Sequence, residues 1–234
     1  MSGGYSITLD SSGNAYLTGY YYGGSVTFGS TTLSNSGSWD LFVAKISSSG
    51  SWQWASKAGG TRNERGDGIA LDASGNVYVT GFFQSPSVTV GSTTLYNNNT
   101  TTYPTSDIFL GKLSSSGSWQ WVKRAGGWAN DHGISISIGD NGGLQIGGHL
   151  DPNYCDAGGN FGSYQLTRSG AFTANFSSSG SWESPMLITA CGRLTNHISN
   201  NGTMYLIGDY DYHNNPITIG GYNFSSIGGV DAFL

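Results

Sequence analysis

Ser47-Ser48-Ser49-Gly50-Ser51-Trp52-Gln53-Trp54 returns as Ser114-Ser115-Ser116-Gly117-Ser118-Trp119-Gln120-Trp121 and, shortened, as Ser177-Ser178-Ser179-Gly180-Ser181-Trp182. The copies stand 67 and 63 residues apart. A stretch recurring at a near-constant interval marks a repeat architecture, in which each copy buries its apolar surface against its neighbours.

Four further elements repeat around this segment. The first is Ser6-Ile7-Thr8-Leu9-Asp10, matched by Gly68-Ile69-Ala70-Leu71-Asp72, by Ser135-Ile136-Ser137-Ile138 and by His197-Ile198-Ser199. Its apolar residues alternate, as on a strand with two unlike faces. A turn follows, Ser11-Ser12-Gly13-Asn14 and its echoes at Gly75, Gly142 and Gly202, where glycine supplies the positive φ of a tight hairpin. Next comes Ala15-Tyr16-Leu17-Thr18-Gly19, repeated as Val77-Tyr78-Val79-Thr80-Gly81, Leu144-Gln145-Ile146-Gly147-Gly148 and Met204-Tyr205-Leu206-Ile207-Gly208. A variable stretch leads to Asp40-Leu41-Phe42-Val43-Ala44-Lys45-Ile46, which recurs from Asp107 and Gly170 and begins again at Asp231. The Ser-Ser-Gly turn then opens a tryptophan-bearing strand. Trp52 and Trp54 lie two residues apart, which predicts that both rings occupy one face and pack on a neighbouring unit.

Four short strands per repeat with no helical period predict an all-β fold, a β-propeller of four-stranded antiparallel blades. The chain is read as a single propeller domain, residues 1–234, or as a propeller fragment. It holds about three and a half to four repeats, approximately 4–60, 66–127, 133–192 and 196–234, with the last blade incomplete. The period is longer than the ~40–50 residues of common propeller repeats. The surplus falls between the second and third strands and predicts a loop or an extra hairpin there. The incomplete blade leaves three arrangements open: a piece of a longer protein, closure by assembly with other copies, or a small ring with a truncated last blade.

Composition narrows the function. Only 10% of the residues are charged and 38 are glycine, yet 13% are aromatic, at repeated positions beside β-branched residues, which separates this chain from a disordered linker. Nine basic residues and a net charge of −5 provide no basic stripe for nucleic acid. No apolar run is long enough to span a membrane as a helix. The segment Met1-Ser2-Gly3-Gly4-Tyr5 has no signal-peptide character, so a signal is expected to be absent or already removed. Cys155 and Cys191 either pair, closing a loop of about 36 residues worth about 4 kcal/mol in chain entropy, or stay separate buried thiols.

The runs Gly-Asn-x-Tyr-x-Thr-Gly (Gly13 to Gly19, Gly75 to Gly81), Asp-x-Phe-x-x-Lys (Asp40 to Lys45, Asp107 to Lys112) and Ala-Gly-Gly (Ala58 to Gly60, Ala125 to Gly127) resemble the SBBP family of bacterial and archaeal β-propeller repeats. The third copy departs from the pattern at Gly170 and Gln145, and the fourth lacks the tryptophan strand. The resemblance implies a propeller at the cell surface or outside the cell, and no catalytic motif to carry over.

What repeats is read as structural, so function is sought where the copies differ. Asp10, Asp72, Asp40, Asp107 and Asp231 are expected to bond backbone amides at turns. The loops entering the first strand differ, with Arg62-Asn63-Glu64-Arg65, Asn130-Asp131-His132 and Asn196-His197, and in a ring they would crowd one face around the axis. Tyr20-Tyr21-Tyr22 leaves the second strand and offers aromatic faces to a sugar. Asp209, Asp211 and His213 are the candidate metal ligands, but they lack the remaining ligands and glycine of a calcium loop. No cofactor, and no metal beyond that weak set, is expected. No nucleophile elbow or zinc-protease motif appears, so the chain is read as no enzyme. The expectation is a non-enzymatic extracellular or cell-surface module, structural or adhesive, that self-assembles through its incomplete blade. The alternatives are a lectin-like propeller binding surface glycans and, more weakly, a hydrolase.

Overall fold

The computed structural model describes the chain apart from residues 1, 100–103, 140–141, 152–155, 178–179, 191, 201–202, 212–216, 220–221, 225–229 and 234, and describes side chains as far as Ile188. Its elements repeat four times. The first set is β1 (Ser2–Leu9), β2 (Ala15–Tyr21), β3 (Ser25–Phe28), β4 (Thr31–Ser34), β5 (Asp40–Ile46) and β6 (Trp52–Ala58). The second is β7 (Glu64–Leu71), β8 (Val77–Phe83), β9 (Ser87–Val90), β10 (Thr93–Tyr96), β11 (Asp107–Leu113) and β12 (Trp119–Ala125). The third is β13 (His132–Ile138), β14 (Leu144–Leu150), β15 (Gly159–Phe161), β16 (Tyr164–Leu166), β17 (Gly170–Phe176) and β18 (Trp182–Ala190). The fourth is β19 (Gly192–Asn200), β20 (Thr203–Asp211), β21 (Ile217–Ile219), β22 (Tyr222–Phe224) and β23 (Val230–Phe233).

In each of the first three sets four strands pair in chain order as an antiparallel sheet: β1-β2-β5-β6, β7-β8-β11-β12 and β13-β14-β17-β18. The fourth sheet, β19-β20-β23, has three strands among the described residues. The variable stretch is a hairpin in every set, paired only with itself (β3–β4, β9–β10, β15–β16, β21–β22). The described residues include no helix. The chain divides into two compact units, residues 1–124 and 125–234, each holding two of the sheets.

In the first unit β7 lies against β1, β2 and β5, so the second sheet packs on the first. Consecutive residues of β5 serve two cores, as a strand's period of two requires. Leu41 and Val43 join Tyr16, Ile69, Val79, Phe83 and Phe109 in the seam between the sheets. Phe42 and Ala44 join Tyr21, Phe28 and Leu33, where the β3–β4 hairpin folds back onto its own sheet. Burying each such side chain contributes about 1.5–3 kcal/mol.

The two tryptophans of the recurring segment part company. Trp52 packs edge-on against Phe28, ring centres 4.9 Å apart, in the hairpin core. Trp54 packs in the seam, edge-on to Tyr16 at 6.1 Å. The single-face expectation fails because the pairing of β5 with β6 slips: Lys45 faces Trp54 and Ile46 faces Trp52. Gln53 is the extra residue of a β-bulge, and an extra residue reverses the side to which the next side chain points. Trp54 then reaches the second repeat, where its Nε1 donates to Ser115 O at 3.1 Å. In return Trp119 Nε1 donates to Lys57 O at 2.9 Å. The Ser-Ser-Gly turn of the second repeat is thus a receptor for the first repeat's indole as well as a turn.

Two of the sequence motifs fold into one contact. Asp10 Oδ1 accepts from Ser12 N and Asn14 N, both at 3.0 Å, and its Oδ2 from Asn14 Nδ2 at 2.8 Å and Tyr16 OH at 3.2 Å. Asp72 repeats the set with Ser74, Asn76 and Tyr78. Lys45 and Lys112 sit over the Tyr16 and Tyr78 rings at 4.8 and 4.9 Å. Gly13 and Gly75, both with φ of 76°, close these turns. Asp40 and Asp107 also hold backbone amides, Ser36 N at 2.8 Å and Asn98 N at 2.7 Å. Asp231 lies in β23, where side chains are not described.

Each sheet's first strand carries a bulge, at Tyr5, Asp67, Ile134 and Thr195. It drives a backbone carbonyl toward the second strand. A Cβ on Gly19 would collide with Gly3 O, one on Gly81 with Arg65 O and one on Gly148 with His132 O. That close approach explains the glycine of the second strand in the first three repeats. Gly81→Ala is therefore expected to destabilise the protein by about 1–3 kcal/mol in urea unfolding. Gly4→Ala, where an added Cβ meets nothing within 4 Å, should change stability by less than about 0.5 kcal/mol.

Candidate functional site

The residues between Gly60 and β7 are threaded beside Trp39, the residue before β5. Ser38 N and Trp39 N both donate to Arg62 O at 3.1 Å, and Glu64 N donates to Trp39 O at 2.8 Å. This pairing brings the Arg62–Arg65 loop of the second repeat to the Tyr20–Tyr22 end of the first, joining two regions the sequence offers separately. Tyr20 stacks on Trp39 at 4.4 Å and on Tyr22 at 6.3 Å, and meets Tyr5 at 5.9 Å. Tyr5 is 51% exposed and Tyr22 36%, so the cluster opens to solvent.

Arg65 borders it. Its guanidinium lies 4.3 Å over the Tyr5 ring and 4.8 Å over that of Phe82, its Nη1 donates to Tyr5 OH at 3.3 Å, and its Nε stands 2.7 Å from Asp67 Oδ1. Asp67, the bulged residue of β7, has a side chain only 5% exposed, and its Oδ2 has no hydrogen-bond partner among the described residues. The arrangement can stack a flat apolar ring face and offer guanidinium and hydroxyl groups beside it.

Other expected site residues have interior duties. Tyr21 is fully buried and donates to Ser34 O at 3.1 Å and Asp40 Oδ2 at 3.4 Å. Burial first, and Asp40 next, push its hydroxyl pKa up. Glu64, also buried, accepts from Gly60 N at 2.6 Å and Ser85 N at 3.1 Å, fastening the entering loop to the end of β8. Asp131 does the same in the third repeat, accepting from Gly127 N at 2.5 Å and Asp151 N at 3.1 Å. Arg62 and Asn63 are half-buried, and Asn63 Nδ2 donates to Gln84 Oε1 at 2.9 Å.

In the second unit Asn130 bonds Asp151 through its backbone N at 3.2 Å and its Nδ2 at 3.1 Å. His132 pairs across strands with His149, ring centres 5.0 Å apart. These two hold the register positions of Arg65 and Phe82 in the second sheet and of Arg193 and Asp209 in the fourth. Asn196 and His197 lie in β19 and Asp209 and Asp211 in β20, with side chains outside the description. His213, Cys155 and Cys191 lie outside the described residues altogether. No group of three or more His, Cys, Asp or Glu among the described residues is placed to hold a metal ion.

Trp39, Tyr5 and Asp67 are site residues that sequence reasoning passes over. Trp39 had a signal: the residue before the Asp-x-Phe-x-x-Lys run is Trp39 in one copy and Ser106 in the next.

No family model matches the chain. Over 150 residues, 64% of its length, it is 27% identical to the regulatory protein FlaEY of Caulobacter vibrioides, and it spans 15% of that protein's length. No helix among the described residues is long and apolar enough to cross a membrane.

Burial, partly offset by Arg65, raises the Asp67 pKa from an ordinary 3.8 to about 6. The folded state therefore holds this proton to a higher pH than the unfolded chain does, and its ionisation removes stability as pH rises from 3.8 to about 6. Asp67→Asn takes that dependence away. The difference in melting temperature, wild type minus variant, is expected to fall across this window and to level off above it.

Proposed function

We propose that this chain is a non-enzymatic extracellular or cell-surface β-propeller that acts as a structural or adhesive interaction module. The reading is carried by the seam of the first unit. There one four-stranded sheet lays its face on the next, and the indoles of Trp54 and Trp119 tie the two repeats together from both sides. A hairpin at the same place in every repeat, paired only with itself, adds support, because the four copies then share one plan. Small-angle scattering and electron microscopy of residues 1–234 test the architecture: sheets set radially about an axis are expected, and a linear stack or two-layer sandwich overturns it. Display of the chain on cells that lack it tests the activity. Increased attachment between cells or to a surface is expected, and unchanged attachment with folded protein displayed removes the adhesive reading.

The cluster of Tyr5, Tyr20, Tyr22 and Trp39 beside Arg65 favours a second reading, a lectin-like module that stacks sugar rings. On a glycan array it predicts binding to a subset of sugars, weakened at least about tenfold by Tyr22→Ala, a change of about 1.4 kcal/mol. An array without binding, or binding indifferent to Tyr22, overturns it.

A further inference from the structure

The chain holds four histidines, and the fold sets two of them directly opposite each other. The bulge at Ile134 does this. Beside it Ser135 faces Gly147, and an unbroken ladder would go on to place Gly133 against His149. The inserted residue moves the register by one, so Gly133 meets Gly148 and His132 meets His149. Directly opposed side chains of an antiparallel pair share one face, with Cβ atoms about 4.5–5.5 Å apart. Both imidazoles are half-buried, and their ring centres stand 5.0 Å apart with the planes at 49°. The pair belongs to the third repeat alone. The same register positions hold Gly3 and Tyr20 in the first sheet, Arg65 and Phe82 in the second and Arg193 and Asp209 in the fourth.

We infer that His132 and His149 together bind one divalent transition-metal ion of the zinc type. The separation of the rings is that of a shared ion. Zinc takes an imidazole nitrogen at about 2.0–2.1 Å, which puts each ring centre about 3.2 Å from the ion and, at a tetrahedral angle, two ring centres about 5.2 Å apart. Imidazole suits zinc, copper and nickel, whereas magnesium and calcium take oxygen ligands. Each ring has two nitrogens, so one binds the ion while the other holds a hydrogen bond. The end of the sheet that carries the pair also carries two buried carboxylates, Asp131 ahead of β13 and Asp151 after β14. Both are engaged with amides, Asp131 accepting from Gly127 N and Asp151 N, and Asp151 from Asn130 N. Their charge favours a cation nearby. The described residues place no third histidine, cysteine or carboxylate as a ligand, so water completes the coordination. The site needs only the pairing of β13 with β14, and it stands or falls apart from the interaction-module reading.

Titration of residues 1–234 with zinc chloride, followed by calorimetry and by the imidazole signals in the NMR spectrum, tests it. The ring signals of His132 and His149 are expected to move together as one ion binds. His132→Ala and His149→Ala should each weaken that binding at least about tenfold. Near-ultraviolet circular dichroism checks that the variants fold. His132→Asn and His149→Gln, closer in size to histidine, repeat the test where an alanine variant does not. No binding up to about 1 mM zinc overturns the inference. So do ring signals that stay in place as zinc binds elsewhere, and so does binding that survives the loss of either histidine, since a site with two protein ligands needs both.

Discussion

A sheet whose strands are apolar on both sides needs two covers, and this requirement shapes each repeat. In β5 the four consecutive residues Leu41 to Ala44 are all buried, and in β8 every residue from Val77 to Phe83 is. Such strands read as unbroken apolar runs because water reaches neither face. One cover comes from within, as the β3–β4 hairpin brings Phe28 and Leu33 onto Phe42. The other must come from a neighbour, and in the first unit the second sheet supplies it. The long period of the repeat is the length of chain needed to carry its own cover.

The bulge in each first strand is the second organising constraint. It presses a backbone carbonyl onto the second strand, which makes glycine necessary at Gly19, Gly81 and Gly148. It also leaves one residue per sheet outside the ladder, free of any pairing rule. Those residues are Tyr5, Asp67, Ile134 and Thr195, as unlike one another as the glycines are alike. Bulges commonly re-aim side chains in this way. A repeat built so can vary the residue at the bulge without changing the pairing of its strands.

Strand order, the turn glycines, the carboxylates that hold turn amides and an insertion between the second and third strands, read as a loop or an extra hairpin, were all legible in the sequence, because each rests on a local rule. Asp72 bonds its own turn whatever lies beyond it. The failures came where a local rule presumes a regular pleat. Counting two residues from Trp52 to Trp54 puts both rings on one face only if no residue is inserted, and Gln53 is inserted. The candidate site was half legible for a similar reason. Arg65 stood out in a loop that differs between copies, and Tyr20 and Tyr22 as rings leaving the second strand. Trp39 joins them through a parallel bridge to Asn63, a pairing between segments that no turn signal announces. Glu64 and Asp131 looked like binding groups because they are charged residues in variable loops. Both instead close the loop on itself, since a buried amide in an irregular segment has few other acceptors.

The scarcity of charge gives the carboxylates their meaning. In a chain with 14 acidic residues, Asp10, Asp40, Glu64, Asp72, Asp107 and Asp131 are all engaged with backbone amides. They replace, in loops and turns, the hydrogen bonds that strands make with each other. Asp67 stands apart. Its side chain is buried too, yet it faces an arginine instead of an amide, and the arginine in turn faces aromatic rings. A buried charge pair that fastens no loop is a costly way to stabilise a sheet. Its position at the bulge sets Arg65 against the rings of Tyr5 and Phe82, beside an aromatic cluster open to solvent.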